Sequence, residues 1–211
     1  MPLLSNELKA GGFSKPAGDG DYLYPGDITK ENEVRFTILG DVSVSGYSCW
    51  IEGPENKGVK LRFKDEPKWA EIEERAAEEG GKIKPVGAQG GETKPVKFMT
   101  FVVYNYQDHL RGIKDTPGKV QVFEFTQAGI GGPMVKYLAD DEIGEEPHTY
   151  DFKISAIGEG LDKRYTVTCL PGRRRKPEPN KQVEAAYQEA LENGFDLTRL
   201  WANADPFKAP F

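Results

Sequence analysis

Cysteine and histidine are scarce in this chain, since each occurs only twice among 211 residues. Cys49, Cys169, His109 and His148 are far apart in the sequence, and none has a second ligand at the close spacing typical of zinc sites. Little cysteine also favours a reducing compartment, because small secreted domains are commonly held together by disulfides. We therefore expect no metal site and no cofactor.

Long apolar runs are missing as well. The longest, such as 101–104, are far shorter than the ~20 residues of a membrane-spanning helix. The chain does not open with a basic segment followed by an apolar one, as a secretory leader would. These patterns predict a soluble cytoplasmic protein that does not associate with membranes.

Net positive charge, which a simple nucleic-acid-binding protein would carry, is also absent. The formal net charge is −6 and the isoelectric point is near 5.2. Acidic residues concentrate in 65–79 and after Pro177, whereas basic residues cluster in 57–64, 82–97 and 163–176. Because the charges are segregated, local basic clusters keep nucleic-acid binding open despite the overall sign.

Alternating apolar and polar residues dominate the middle of the chain. They predict strands at 34–51, 59–64, 98–106, 119–125, 150–157 and 164–169. The last two strands flank a short turn and form a predicted hairpin. Proline and glycine signals bound predicted helices at 67–79, 133–140 and 181–192. Strands with one short helix before the last hairpin are typical of a small antiparallel barrel, so the sequence predicts a mainly β fold.

Three segments differ in composition. Residues 1–32 are rich in turn-forming residues and lack periodicity, and we interpret them as an N-terminal arm. Residues 33–172 hold the predicted strands and form the barrel domain. Residues 173–211 begin with a basic linker and continue with a helix and a C-terminal tail.

Several sequence blocks occur together between residues 98 and 169. They are Val103-Tyr104-Asn105-Tyr106, the strand 120–126, Tyr150-Asp151 and the turn Gly158-Glu159-Gly160-Leu161-Asp162. In this combination, and more loosely through Tyr47-Ser48-Cys49-Trp50 and the basic strand after it, the chain resembles a family of tailed-phage single-stranded DNA-binding proteins over about two-thirds of its length. The resemblance implies a five-stranded antiparallel barrel of the oligonucleotide-binding (OB) fold and a role in phage DNA replication, recombination or repair. It also implies a location in the cytoplasm of the infected bacterial host.

Binding a single strand without regard to sequence requires cations along the phosphates and exposed rings on which the bases stack. The candidate cations are Lys60, Arg62, Lys64, Lys163, Arg164, Arg173, Arg174 and Arg175. The candidate rings are Tyr47, Trp50, Phe98, Tyr104, Tyr106, Phe123 and Phe125. Together these side chains form the predicted DNA-binding site.

The predicted strand 98–106 has two different faces. Alternation directs one apolar face toward the barrel interior and leaves Phe98, Tyr104 and Tyr106 on the other face. That second face has the composition of a stacking platform. Alternatively, any one of these rings packs under the helix at 65–79 or under the N-terminal arm.

Each cationic group also has an ordinary explanation. Lys60, Arg62 and Lys64 could form a solvated strand face that deters aggregation. The basic run at 173–176 could clamp phosphates, act as a solvated linker, or dock the chain's own acidic tail. The sequence leaves these three roles open.

The C-terminal tail combines rings with acid in a way that could recruit a partner. The candidate contacts are Trp201, Asp205, Phe207 and Phe211, with the two phenylalanines as hooks. Such a tail can occupy a basic groove when DNA is absent and reach a polymerase or a helicase/primase when DNA displaces it. Alternatively, Trp201 and Phe207 pack back on the barrel. Assembly as a homodimer stays open.

Enzyme motifs are missing. The segment 129–134 superficially resembles a dinucleotide-binding loop but lacks its third glycine and a surrounding parallel unit. The carboxylate pairs at 140–141 and 145–146 are interpreted as solvated loop residues, not as a two-metal nuclease centre. The sequence thus predicts a non-enzymatic single-stranded DNA-binding protein. The alternatives are a protein-interaction or virion-associated β-protein that binds no nucleic acid and, less favoured, a nuclease or nucleotide-binding enzyme.

Overall fold

The computed structural model describes residues 20–85, 92–108, 117–170 and 177–208. Its strands are β1 (Tyr22–Leu23), β2 (Val34–Glu52), β3 (Gly58–Phe63), β4 (Val96–Asn105), β5 (Lys119–Phe125), β6 (Asp151–Ile157) and β7 (Arg164–Leu170). Its helices are α1 (Trp69–Glu78), α2 (Ala128–Leu138), α3 (Asp141–Glu145) and α4 (Pro177–Glu192). All predicted strands and helices are therefore present, with boundaries shifted by a few residues.

The strands form one mixed sheet of seven strands in the order β1-β5-β4-β2-β6-β7, and β3 pairs with the far end of β2. The pairing is antiparallel throughout except between β1 and β5, which run parallel. Within the described residues no pairing joins β5 to β7, and helix α2 packs against β7 instead. The predicted mainly β fold is confirmed. The sequence predicted a closed or half-closed antiparallel barrel of five strands, and the observed mixed sheet of seven strands is not closed.

Strand β2 runs for 19 residues and organises the sheet. Its register against β4 shifts between Leu39 and Ser43, and Gly40 within this bulge has a φ of +62°. The bend lets the first part of β2 pair with β6 and the last part pair with β3. One bent strand thus connects the main sheet to the β2–β3 hairpin.

Gly40→Ala is expected to lower the free energy of unfolding by about 2 kcal/mol or more. A left-handed backbone costs about 1–2 kcal/mol for a residue with a Cβ, and the new methyl would also collide with Tyr187 Oη on α4. Thermal denaturation should show the loss. The control is Gly129→Ala, where the nearest atoms to the new methyl are those of Tyr165 at 3.9 Å, an ordinary contact, and α2 should become slightly more stable. Equal melting temperatures for the two variants would contradict this account of the bend.

Apolar residues cover both faces of the sheet. The inner face forms the main core, in which Phe36, Phe123 and Phe152 pack with Ile130 and Met134 of α2. The outer face of β4 and β5 is covered by α4 and by a short 3-10 helix, Leu197–Ala202. A third cluster joins the β2–β3 hairpin to α1.

Both chain ends contribute to these layers. Leu23 and Ile28 are fully buried in the main core, because β1 extends the sheet beside β5. Leu23 and Ile28 of the predicted N-terminal arm thus pack into the fold, and residues 1–19 lie outside the described part. At the other end, Leu197 and Leu200 are buried on the outer face, so 177–208 belongs to the same packed unit. No helix of the described residues is both long and apolar enough to span a membrane.

Candidate nucleic-acid interface

Two of the predicted cations share one carboxylate. Arg62 Nε donates to Glu124 Oε2 at 2.8 Å, and Lys60 Nζ forms an ion pair with the other oxygen of Glu124. Thr100 Oγ1 donates to the same carboxylate at 3.3 Å. Since β2 and β4 separate β3 from β5 in the sheet order, the β2–β3 hairpin must curl over the outer face to make these contacts.

The carboxylate of Glu124 stays ionised in this setting. Burial alone would raise the pKa of Glu124, but the charges of Arg62 and Lys60 and their hydrogen bonds outweigh burial and hold the pKa below its ordinary value. At neutral pH one negative charge therefore faces two positive ones. An anion that binds Lys60 and Arg62 has to compete with Glu124.

Trp50 is the most exposed ring of the predicted site. It is 53% exposed and pairs with Lys60 across β2 and β3. Lys60 Nζ lies 5.7 Å from the centre of its ring. An ammonium at this distance interacts favourably with the indole face, so ring and cation form one surface unit.

A second ring and cation lie near the C-terminal 3-10 helix. Lys64 is exposed, and its Nζ lies 5.9 Å from the ring centre of half-buried Trp201. Trp201 in turn packs edge-on against Phe98 with 6.0 Å between the ring centres. Trp201, predicted as part of a partner-binding tail, therefore belongs to the same outer face as the cationic strand.

Tyr47 is not on this face. Strand alternation places Tyr47 on the side of the β2–β3 hairpin that faces α1, with Lys97 Nζ 5.9 Å from its ring centre. Tyr47 is half-buried there. The structure thus separates Tyr47 from Trp50, although the sequence grouped them together.

The last hairpin carries its cations at one edge of the sheet. Arg164 is exposed, and half-buried Lys163 lies 5.4 Å from the ring centre of Tyr165. Lys163 Nζ also donates to the carbonyl oxygen of Gly26 at 2.6 Å. The hairpin is thereby fastened to the N-terminal turn Pro25–Asp27.

The predicted stacking platform on β4 and β5 is covered in this structure. The buried rings are Phe98, Tyr104, Tyr106, Phe123 and Phe125, none of which is more than 8% exposed. Phe123 and Phe125 point into the main core, whereas Phe98 and Tyr104 lie on the outer face beneath α4 and the 3-10 helix. The assignment of stacking roles to these rings is therefore corrected, because bases cannot reach them in this conformation.

Tyr106 has an internal structural role instead. Its Oη donates to Asp151 Oδ1 at 3.1 Å, and the guanidinium of Arg35 lies 5.2 Å from its ring centre. Arg35 Nε also donates to Asp151 Oδ2 at 3.1 Å. The Tyr150-Asp151 block of the sequence thus supplies a buried acid that joins β2, β6 and the end of β4.

The described part of the C-terminal tail packs on the sheet. Phe207 lies 4.8 Å from Phe195 and 6.5 Å from Tyr22, measured between ring centres. Asp205 accepts a hydrogen bond from the backbone N–H of Phe207 at 3.0 Å. In this structure Phe207 therefore packs back on the fold, which is the alternative that the sequence left open. Phe211 and the run Arg173, Arg174 and Arg175 lie outside the described residues.

Two stacked tyrosines, half-buried Tyr22 and exposed Tyr24, were not singled out from the sequence. Tyr22 and Tyr24 stack on each other, with 5.9 Å between ring centres and 16° between ring planes. Tyr24 is 55% exposed. The alternation of Tyr22, Leu23 and Tyr24 was the available signal, but it is too short to predict a strand.

Acidic residues line a separate concavity. A cleft of about 890 Å³ lies between α4, the bend of β2 and the segment 142–150. Its carboxylates are Asp41, Glu142, Glu145, Glu146 and Glu184. None of the residues that line this cleft belongs to the Trp50 surface, which we define as Trp50, Lys60, Arg62 and Lys64.

The described residues contain no group of three or more histidine, cysteine, aspartate or glutamate side chains placed to hold a metal ion. Both cysteines are buried as free thiols. Comparisons with protein-family models, with curated proteins and with solved structures found no match to this chain.

Proposed function

We propose that this chain binds single-stranded DNA without regard to base sequence and without catalysing a reaction. The observation that carries the proposal is the half-exposed Trp50 ring with Lys60 over it, on the face that also holds Arg62 and Lys64. As the resemblance to tailed-phage proteins suggests, the role is to coat exposed strands during phage DNA replication or recombination in the infected cell.

The chemistry of this surface suits a single strand. Every base has a flat face that can stack on an indole, so stacking on Trp50 does not select a sequence. The neighbouring ammonium and guanidinium groups attract phosphates regardless of the base attached. A surface of rings alone would favour a protein partner, and a surface of cations alone would favour duplex DNA. A surface on which rings alternate with cations favours an unpaired strand.

The fold adds support from its strand order. We propose that β2, β4, β5, β6 and β7 are the five strands of an OB fold, with α2 in the usual place between the third and fourth and with the barrel open between β5 and β7. OB folds bind oligonucleotides on the second and third strands and on the flanking loops. Trp50 to Lys64 fall around the first such connection, and Lys163 and Arg164 fall at the second. The C-terminal segment covers the outer face of β4 and β5. The proposed path of the DNA strand therefore runs along the margin of that face.

A fluorescence titration tests the proposal. Adding thymidine oligonucleotides to the intact chain should quench tryptophan emission, and added salt should reverse the quenching. A duplex of equal length should bind more weakly, and a uridine oligonucleotide would show whether RNA is also bound. No quenching and no retention of oligonucleotide at low salt would refute the proposal. Cleavage of the oligonucleotide in the presence of a divalent metal would favour a nuclease instead.

Glu124→Gln is expected to strengthen the binding of a thymidine oligonucleotide. The amide preserves the shape of the side chain but releases one positive charge on Lys60 and Arg62. One further phosphate contact on a single strand steepens the dependence of log K on log salt by about 0.7, which corresponds to about five-fold tighter binding at about 0.1 M salt.

The matched control is Glu145→Gln, which removes the same charge from the exposed acidic cleft. It should change the affinity much less, because screening is strong beyond about 10 Å at this salt concentration. Equal effects of the two substitutions would show that only net charge matters. Weaker binding by Glu124→Gln would show that Lys60 and Arg62 do not contact phosphates.

A further inference from the structure

We infer that Tyr24, supported by Tyr22, is a second base-stacking position that connects the Trp50 surface to the cations of the last hairpin. This inference rests on the proposed function and extends the same binding site to the N-terminal segment. In place of the buried rings of β4 it proposes the exposed ring of Tyr24, in a part of the chain that the sequence did not assign to binding.

Strand pairing places Tyr24 beside Glu124. In the parallel pair of β1 and β5, Tyr22 lies opposite Val122 and Leu23 opposite Phe123, so Tyr24, which directly follows β1, continues this register toward Glu124. Leu23 points into the main core. Alternation therefore directs both tyrosines to the outer face, the one that carries Lys60 and Arg62.

The Tyr24 ring is exposed but well supported. Tyr22 stacks against it at 5.9 Å with nearly parallel planes, and Phe207 packs edge-on against Tyr22 at 6.5 Å. Because the stack covers one face of Tyr24 and the residue is still 55% exposed, its other face is open to solvent. An aromatic ring already held in place loses little conformational freedom when a base stacks on it.

Charges connect Tyr24 to the Trp50 surface. Burial, together with the carboxylates of Asp27 and Glu124, raises the pKa of Tyr24, and Arg62 acts in the opposite direction. These groups are therefore close enough to interact with Tyr24 electrostatically. Since Lys60 contacts both Glu124 and the Trp50 ring, Glu124 links the Trp50 surface to the neighbourhood of Tyr24.

Hydrogen bonds connect Tyr24 to the last hairpin on its other side. The turn Pro25–Asp27 follows Tyr24 directly, and the Pro25 carbonyl accepts from Tyr165 Oη at 2.9 Å. Lys163 Nζ donates to the Gly26 carbonyl at 2.6 Å. Tyr24 thus lies between the two groups of predicted cations, in the position where a strand passing from one to the other would present its bases.

The test compares Tyr24→Ala with Tyr24→Phe and Trp69→Ala in the intact chain, using a fluorescent thymidine oligonucleotide. Tyr24→Ala should weaken binding about five-fold or more, whereas Tyr24→Phe keeps the ring and should bind like the wild type. Trp69 is a matched control because it is 50% exposed but starts α1, which packs on the opposite face of the hairpin. Its replacement by alanine should leave the affinity unchanged.

A gain-of-signal variant guards against a folding defect in Tyr24→Ala. Tyr24→Trp keeps a flat ring and introduces a tryptophan whose emission should be quenched when the oligonucleotide binds. If Tyr24→Ala binds like the wild type while Trp50→Ala binds weakly, or if the new tryptophan is not quenched, the inference is wrong and the proposed function stands. If the wild type binds no oligonucleotide, both are wrong.

Discussion

Trp50→Ala is expected to weaken the binding of a thymidine oligonucleotide by about ten-fold or more. Stacking of one base on an aromatic side chain contributes about 1–3 kcal/mol, and Trp50 is a half-exposed ring with Lys60 Nζ 5.7 Å from its centre. Removing the indole also removes the cation–ring contact that positions Lys60. Fluorescence anisotropy of a labelled oligonucleotide would measure the change in Kd.

Two companion variants make this result specific. Trp50→Phe keeps a ring and should lose only part of the affinity, whereas Trp69→Ala removes an equally exposed indole from α1 and should lose none. The folding of Trp50→Ala should stay close to that of the wild type, because about half of the side chain is already in solvent. Equal affinities for Trp50→Ala and the wild type would remove the main support for the proposed function.

Asp151→Ala is expected to lower the free energy of unfolding by about 3 kcal/mol, because it removes the carboxylate that Arg35 and Tyr106 both contact. Asp151 is only 1% exposed, so its loss leaves a half-buried guanidinium without this counter-charge. For a chain of this size the melting temperature should fall by about 6–12 °C. Thermal denaturation followed by circular dichroism would measure it.

The control for Asp151 lies on the same strand. Lys153→Ala breaks an exposed ion pair with Glu33 and should cost less than about 1 kcal/mol. Below its melting temperature Asp151→Ala should still bind oligonucleotide, because the cluster supports the sheet and does not face the proposed site. Similar melting temperatures for the two variants would show that the buried cluster contributes little.

Local sequence patterns predicted the elements well for a physical reason. Half-buried strands alternate between two environments, so the period of two in 119–125 and in the hairpin 150–169 follows directly from the sheet. Helix α1 was bounded by proline before it and by Gly80 after it, and both signals act through local backbone geometry. Such features do not depend on the rest of the fold.

Alternation could not show what covers each face. It placed Phe98 and Tyr104 together on a second face of the strand, but an aromatic face suits a stacking platform and a second core equally well. The covering residues Leu197 and Leu200 come from about 100 positions further along the chain. Their own spacing predicts no strand or helix that would reveal the contact.

The surroundings of the cations and of the N-terminal rings were difficult to predict from the sequence for the same reason. Lys60 and Arg62 were predicted as free cations, yet their partner Glu124 belongs to a strand more than 60 positions away in sequence. Tyr24 adjoins a strand of two residues that forms only because β5 has an open edge. Contacts of this kind depend on the complete sheet order.

Photochemical cross-linking tests the central claim most directly. A thymidine oligonucleotide irradiated in complex with the intact chain, followed by mass spectrometry of the peptides, would identify the side chains that touch bases. We expect cross-links at Trp50 and Tyr24 that disappear at high salt. Cross-links confined to Trp69 or to the acidic cleft, with Trp50 unmodified, would contradict the proposed interface.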